Sequence, residues 1–294
     1  MKQRRISNQL WGLAFVIPSV FLICTLNIWP VLQNLYYSLC QMKGFSKPSF
    51  IGLENYRTIL KDAEVGGALK NTFIYTLLTV PLGVFLSLVT AALLNTRIRS
   101  KGFFRTLYYL PVVSAPAAVS MVWRWMFNYE YGIINQVLNG LGIGSVNWIA
   151  DSNVVLISLA IIGIWSMIGY NMVILLGGLQ GIPTHYYEAA EVDGASGIRQ
   201  FFSITIPLVT PSLFFVMITT FISSLQVFDS IYMVIGELNP ALRSAQSMVF
   251  LFYRYMFRMS NKGYGATIGT ILLAIILAFT FIQLKGQKKW VYYQ

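Results

Sequence analysis

The sequence predicts an all-α integral membrane protein of six transmembrane helices, and three observations predict it. The composition is too apolar for a soluble fold, long stretches carry no charge, and basic residues gather where several of those stretches end. Of 294 residues, 56% are hydrophobic and 11% charged. Soluble domains carry about 25% charged residues, which form a polar skin over the core. Here the charges are too few for that skin, and a lipid-embedded chain needs none.

The charge-free stretches run 6–42, 71–96, 106–123, 152–187, 200–228 and 263–284. A spanning helix needs about 20 apolar residues, because the hydrocarbon core is about 30 Å thick and a helix rises 1.5 Å per residue. The spans are expected at 10–38, 71–94, 106–127, 154–179, 208–234 and 264–284, as one permeation domain over 1–294. The first run, after Met1-Lys2-Gln3-Arg4-Arg5, is too long for a signal-peptide core and lacks a small-x-small cleavage site, so it reads as a retained span. A further charge-free stretch, 131–150, holds Gly132, Gly140, Gly142 and Gly144 with Asn135, Asn139 and Asn147. That composition resists a continuous helix in lipid and predicts an external loop with at most a short helix. Met248 to Met259, rich in Phe and Tyr, is too short to cross and predicts an interfacial helix on the outer surface.

Basic residues orient the bundle. Lys2, Arg4 and Arg5 precede the first span, Arg97, Arg99, Lys101 and Arg105 crowd the loop after the second, and Lys285, Lys288 and Lys289 follow the sixth. These share one side if both termini are cytoplasmic. The net charge of +11 fits contact with anionic lipid headgroups. No basic cluster interleaved with aromatics occurs on a polar segment, which sets nucleic acid aside as a partner. Cys24 and Cys40 form no CxxC, and with His185 the single histidine, a His-built metal site is excluded.

By this orientation, residues 182–207, between the fourth and fifth spans, are cytoplasmic. Pro183 ends the preceding helix, Thr184 is placed to cap a new one, and Gly194 is placed to end it. A second short helix is expected from Ile198 to Ile206, before Pro207 and Pro211 open the fifth span. The segment carries Glu188, Glu191, Asp193 and Arg199, a net −2 in a protein of +11. Acidic groups at the inner face do not suit lipid contact, and the small Ala189 and Ala190 allow close approach. Both features predict a docking knob for a cytoplasmic protein.

Glu188-Ala189-Ala190, Asp193-Gly194-Ala195 and Ile204-Thr205-Ile206-Pro207 resemble the EAA loop of ABC importer permeases, with Ile206 in place of the usual Leu. The resemblance extends over most of the chain: Phe50 to Tyr56, Asn71-Thr72-Phe73, Arg105 to Pro111, and Ile164-Trp165 through Tyr170-Asn171-Met172 look like the sugar and glycerol-phosphate permeases of that family. One departure is Gly236-Glu237-Leu238-Asn239-Pro240, where that group often has a Gly-Gly-Pro turn. The resemblance implies a permease subunit in a prokaryotic cell membrane. Its partners would be a second permease, two ATPase subunits that hold the ATP and Mg²⁺, and an extracytoplasmic solute-binding protein delivering a carbohydrate. It further implies that Glu188, Ala189, Ala190, Asp193 and Gly194 form a coupling helix between spans four and five. No cofactor is expected on this chain.

Thr219, Ser223, Gln226 and Ser230 fall on one face of the expected fifth span, with Asp229 bordering it. Polar groups within a bundle turn to its interior or to an aqueous cavity. Two readings stand: a solute path, with Tyr170 and Asn171 facing it and Trp165 and Tyr232 as stacking surfaces, or interhelical hydrogen bonding without solute contact. Asp229 and Arg124 lie toward the outer ends of their spans, where snorkelling or mutual pairing is expected. A secondary carrier driven by an ion gradient is the alternative function; it would not need an acidic cytoplasmic knob, and it usually shows internal repeats. A membrane enzyme would need a catalytic constellation within the spans, and a Walker-type phosphate loop is absent, so no ATP hydrolysis is expected here.

Overall fold

The structure, a computed structural model, describes residues 2–96 and 100–292, with side chains described from residue 12 onward. The side chains of Lys2, Arg4 and Arg5, and Arg97 and Arg99 altogether, lie outside that description. Five helices are long and apolar enough to cross a membrane, and one bent pair can supply a sixth crossing. The described residues form two compact units, within Met1–Asp62 plus Leu251–Leu273 and within Ala63–Phe250 plus Ala274–Gln294.

In the first unit, α1 (Lys2–Ile23) and α2 (Trp29–Ser38) are joined by a π-helical turn, Cys24–Ile28, into one rod. Every side chain from 12 to 33 is exposed, as expected of a helix surrounded by lipid. Its C-terminal end is held by side-chain hydrogen bonds. Asn34 donates to the Ala266 carbonyl and to Thr270 Oγ1, each at 3.1 Å, and Thr267 donates to the Ser38 carbonyl at 3.1 Å. Two short strands follow, β1 (Cys40–Gln41) and β2 (Ser49–Phe50), paired antiparallel, then α3 (Glu54–Ile59). Asn55 satisfies the Ser38 and Cys40 carbonyls at 3.1 and 2.9 Å.

The second unit contains α4 (Ala63–Asn95), α5 (Lys101–Val113), α6 (Pro116–Met126), α7 (Ile133–Gly140), α8 (Val155–Gln180), α9 (His185–Val192), α10 (Gly197–Gln200), α11 (Ile206–Leu225) and α12 (Leu242–Ala245). Two further helices contribute residues to both units: α13 (Met248–Tyr253) and α14 (Lys262–Trp290). Along α4, Thr72, Thr76 and Thr79 are buried, and each hydroxyl donates to the carbonyl four residues back at 2.7 to 2.8 Å. That internal satisfaction is what a low-dielectric setting demands.

Two apolar clusters mark the two ends of this unit. One joins Tyr75, Phe127, Val155, Leu159 and Ile231; the other joins Leu88, Ala91, Leu175, Leu179 and Val209. Since residue numbers rise together along α4 and α8 from the first cluster to the second, these helices run parallel. Thr79 meets Ser224 at 3.2 Å and Asn171 meets Thr220 at 3.0 Å, so α11 runs opposite to both. The chain between α4 and α8 must therefore return across the unit.

It does so through the bent pair. The expected third span, 106–127, is not one helix: α5 and α6 meet at 101°. Pro116 excludes the α region for Ala115, which is extended at φ −61° and ψ 132°, and Ser114 is extended as well. Tyr108 packs against Gly169, Trp123 against Trp165 and Phe127 against Trp148, so the pair still climbs from the middle of α8 past its start.

Three further expectations are corrected. The fifth span does not run 208–234: α11 ends at Leu225, and a separate π-helical turn covers Ile231–Ile235. The helix expected from Ile198 to Ile206 is not separate, because α10 continues through a π-helical stretch, Phe201–Thr205, into α11. The aromatic segment from Met248 does not begin on a surface, since Met248, Phe250 and Leu251 are fully buried. The 131–150 stretch does hold one short helix, α7.

Candidate functional site

Two features at opposite ends of the second unit bear on function. At the end marked by Leu88 and Leu175 lies α9. Its C-terminus is closed by Gly194 at φ +71°, a left-handed conformation that costs other residues energy. The Ala195 amide donates to the Ala190 carbonyl at 2.9 Å and the Gly194 amide to the Glu191 carbonyl at 3.0 Å, the paired bonds of a Schellman ending. Thr184 differs from expectation. It is itself helical and its hydroxyl makes no capping bond; its carbonyl accepts from the Tyr187 and Glu188 amides instead.

The helix is fastened at its base and open at its tip. Tyr187 packs on the apolar cluster and its hydroxyl bonds Thr205 at 3.0 Å, while the Gln200 side-chain amide donates to the Ala195 carbonyl at 3.1 Å. Glu188, Ala189, Asp193 and Gly194 are exposed and Ala190 is half-buried. Glu188, Glu191, Asp193 and Arg199 have no side-chain partner among the described residues. Val192 is 89% exposed and Ile198 74%, apolar groups standing out of an acidic knob.

At the other end is a groove of about 300 Å³ between α4, α8 and the end of α11 with the segment that follows it. Ser223, Gln226 and Asp229 all line it, joined by Tyr75, Ser166 and Ser230. Of the predicted stripe, Ser223, Gln226, Ser230 and the bordering Asp229 are brought together, though not on one helical face. Thr219 is not among the lining residues, and its hydroxyl donates to the Phe215 carbonyl. Gln226 caps α11 and Asp229 lies beyond the break, so the chain bends the later residues into the groove. The break is stabilised by Ser247, whose hydroxyl donates to the freed Val227 carbonyl at 2.6 Å. Ser166, Ser223, Gln226, Asp229 and Ser230 make no side-chain hydrogen bond among the described residues. Elsewhere in this unit hydroxyls such as Thr72, Ser87 and Thr219 are satisfied by local carbonyls.

The other candidates lie apart from the groove's walls. Asn171 is buried and bonded to Thr220, which for this residue is the interhelical arrangement. Trp165 stands edge-on to Trp123 with ring centres 5.6 Å apart, and Tyr170 is exposed. Tyr232 stacks on Phe228 at 5.4 Å, one residue removed from the groove wall that Phe228 forms. Arg124 and Asp229 do not pair; neither has an ionic partner among the described residues. Sequence reasoning missed Tyr75, Gly163 and Ser166. The signal available was Gly163, Ser166 and Gly169 at spacing three, a small-residue row that lets other elements approach α8. A side chain at Gly163 would strike the Tyr75 hydroxyl.

Residues 67–289 match the family described as the binding-protein-dependent transport system inner membrane component. The chain belongs to this family. Its curated relatives are ABC permeases of nearly the same length. The sn-glycerol-3-phosphate transport system permease UgpA of Agrobacterium fabrum is 33% identical over 97% of both chains. The trehalose/maltose transport system permease MalF of Thermococcus litoralis is 32% identical, covering 93% of this chain and 92% of that one. The fold agrees: a permease chain from a bacterial alginate ABC transporter, crystallised with an alginate pentasaccharide-bound periplasmic protein, superposes with a TM-score of 0.86. That match covers 97% of this permease and 96% of the other chain, at 18% identity. The protein is therefore a multi-pass membrane permease of the sugar and glycerol-phosphate group of ABC importers.

Proposed function

We propose that this permease forms, with a second permease subunit, the membrane path for a carbohydrate received from an extracytoplasmic solute-binding protein. It works as one permease domain over its whole length. The observation that carries the reading is the groove, where three hydroxyls, an amide and a carboxylate converge without internal partners. Sugars are held by side chains of this kind, and Ser223, Gln226 and Asp229 are exposed to the groove with no partner among the described residues. In this reading Ser223, Gln226 and Asp229 contact solute in the groove, and Trp165, Tyr170 and Tyr232 border the approach.

At the opposite end, α9 is the coupling helix on which a cytoplasmic ATPase sits. Glu188, Ala189, Ala190, Asp193 and Gly194 supply an acidic, close-packing and rigidly terminated contact, and exposed Val192 and Ile198 supply apolar area to be covered. The Tyr187–Thr205 bond ties that helix to the stretch leading into α11, whose far end forms the groove, so a push on α9 has a direct mechanical route to the solute site. The two termini and α9 then face the cytoplasm of a prokaryotic cell. ATP and Mg²⁺ reside in the partner ATPases, not here. Family membership supports the ATP-driven reading over an ion-driven carrier.

Co-purification from native membranes in mild detergent tests this. Recovery of a second permease and an ATPase, with the ATPase lost in Glu188→Lys, is expected. A chain that purifies alone and transports in ATP-free vesicles on an ion gradient overturns it.

A further inference from the structure

We infer that the groove selects its solute by charge: it admits uncharged, hydroxyl-rich molecules and turns away anionic ones, with Asp229 as the filter. This rests on the groove being the solute path. Family membership alone leaves solute charge open, so the lining must decide it. Among the described residues that line the groove, Asp229 is the one ionisable acid or base other than the Tyr75 phenol, and none is a lysine or arginine. The remaining polar groups, Ser166, Ser223, Gln226 and Ser230, are neutral, and Met167, Val227 and Phe228 complete an apolar wall.

Asp229 is exposed in the open groove, so solvent and salt screen its charge. It acts mainly at contact distance, on a solute seated against the Gln226 and serine groups beside it. An incoming phosphate, sulfonate or uronate would meet a like charge and find no cation among this chain's described lining residues to offset it. A neutral polyol meets the reverse situation. Its hydroxyls donate to the two Asp229 oxygens in charge-assisted bonds, while the Gln226 amide and the serine hydroxyls serve its acceptors. Arg124 makes no ion pair with Asp229.

The test reads the groove's potential without knowing the solute. In the assembled transporter, with exposed Cys24 replaced by Ala and Cys40 left buried, Ser223→Cys is reacted with two thiosulfonates of similar size. One carries trimethylammonium and the other sulfonate. The cation-over-anion rate ratio is expected to exceed that of a small free thiol by about tenfold or more. Adding Asp229→Asn should bring the ratio to within about twofold of the free thiol. A ratio equal to the free thiol's, a preference for the sulfonate, or no reaction with either reagent overturns the inference. Failure of the path reading shows separately: a fully modified Ser223→Cys transporter whose binding-protein-stimulated ATP turnover is unchanged would place the solute elsewhere while the rate ratio stood.

Discussion

Asn171 on α8 donates from its side-chain amide to Thr220 Oγ1 on α11 at 3.0 Å, and both residues are buried. The bond ties two antiparallel helices near mid-length and uses polar capacity that could otherwise serve a solute. Asn171→Leu should therefore lower stability and leave solute handling intact. Interhelical bonds in membranes are worth about 0.6 kcal/mol on average and at most about 1.7, so a fall of a few degrees in the melting temperature of the purified complex is expected. Unchanged melting with lost transport would return Asn171 to the solute path.

Gly169 supports a different contact. A β-carbon there would run into the Tyr108 carbonyl of α5, which is backbone and cannot swing aside. Gly169→Ala should push α5 off α8 and cost about 1–3 kcal/mol, the usual range for overpacking. Reduced yield and a lower melting temperature in detergent would register it, whereas Gly177→Ala, which meets nothing within 4 Å, is the matched control and should be neutral.

Much of this arrangement was legible in the residues. Hydropathy and charge-free length located α4, α8 and α14, because lipid imposes one length and one polarity on every crossing. Gly194 was legible too, since a helix ending in the left-handed region favours glycine. The bend between α5 and α6 was written at Pro116, where proline restricts Ala115, but an unbroken apolar run hid it. The end of α11 had no such mark. Residues 223–228 hold neither glycine nor proline, and the break depends on Ser247, some twenty residues on, taking the Val227 carbonyl. Helical spacing therefore named several of the right groove residues for a geometry that does not exist beyond Leu225.

Gly194→Ala separates the helix ending from its chemistry. A non-glycine residue at φ +71° costs about 1–2 kcal/mol, and nothing within 4 Å would obstruct the added methyl. The strain is local, so the complex should still assemble while ATPase affinity falls several-fold. Glu188→Lys should abolish association with no change in melting, because Glu188 is exposed and has no partner within the chain. Pull-down of the ATPase against a fixed amount of permease measures both. Equal ATPase recovery in wild type and Glu188→Lys would remove α9 from the interface.

Gln226 offers the sharpest reading of the groove. It caps α11 with its side chain exposed to the hollow and bonded to nothing among the described residues. Truncation to Ala therefore removes no structural bond, and the melting temperature should stay within a degree or two of wild type. What it removes is an amide able to donate to and accept from a bound hydroxyl. A neutral hydrogen bond contributes about 0.5–1.5 kcal/mol, so transport by the assembled complex should fall by roughly two- to tenfold at subsaturating solute. ATPase docking should be untouched, since α9 lies at the other end of the unit. Gln226→Asn, which keeps the amide on a shorter stem, should recover part of the loss. A variant that melts normally, docks its ATPase and transports at the wild-type rate would remove Gln226 from the solute path, leaving the groove's other open polar groups to be tested in turn.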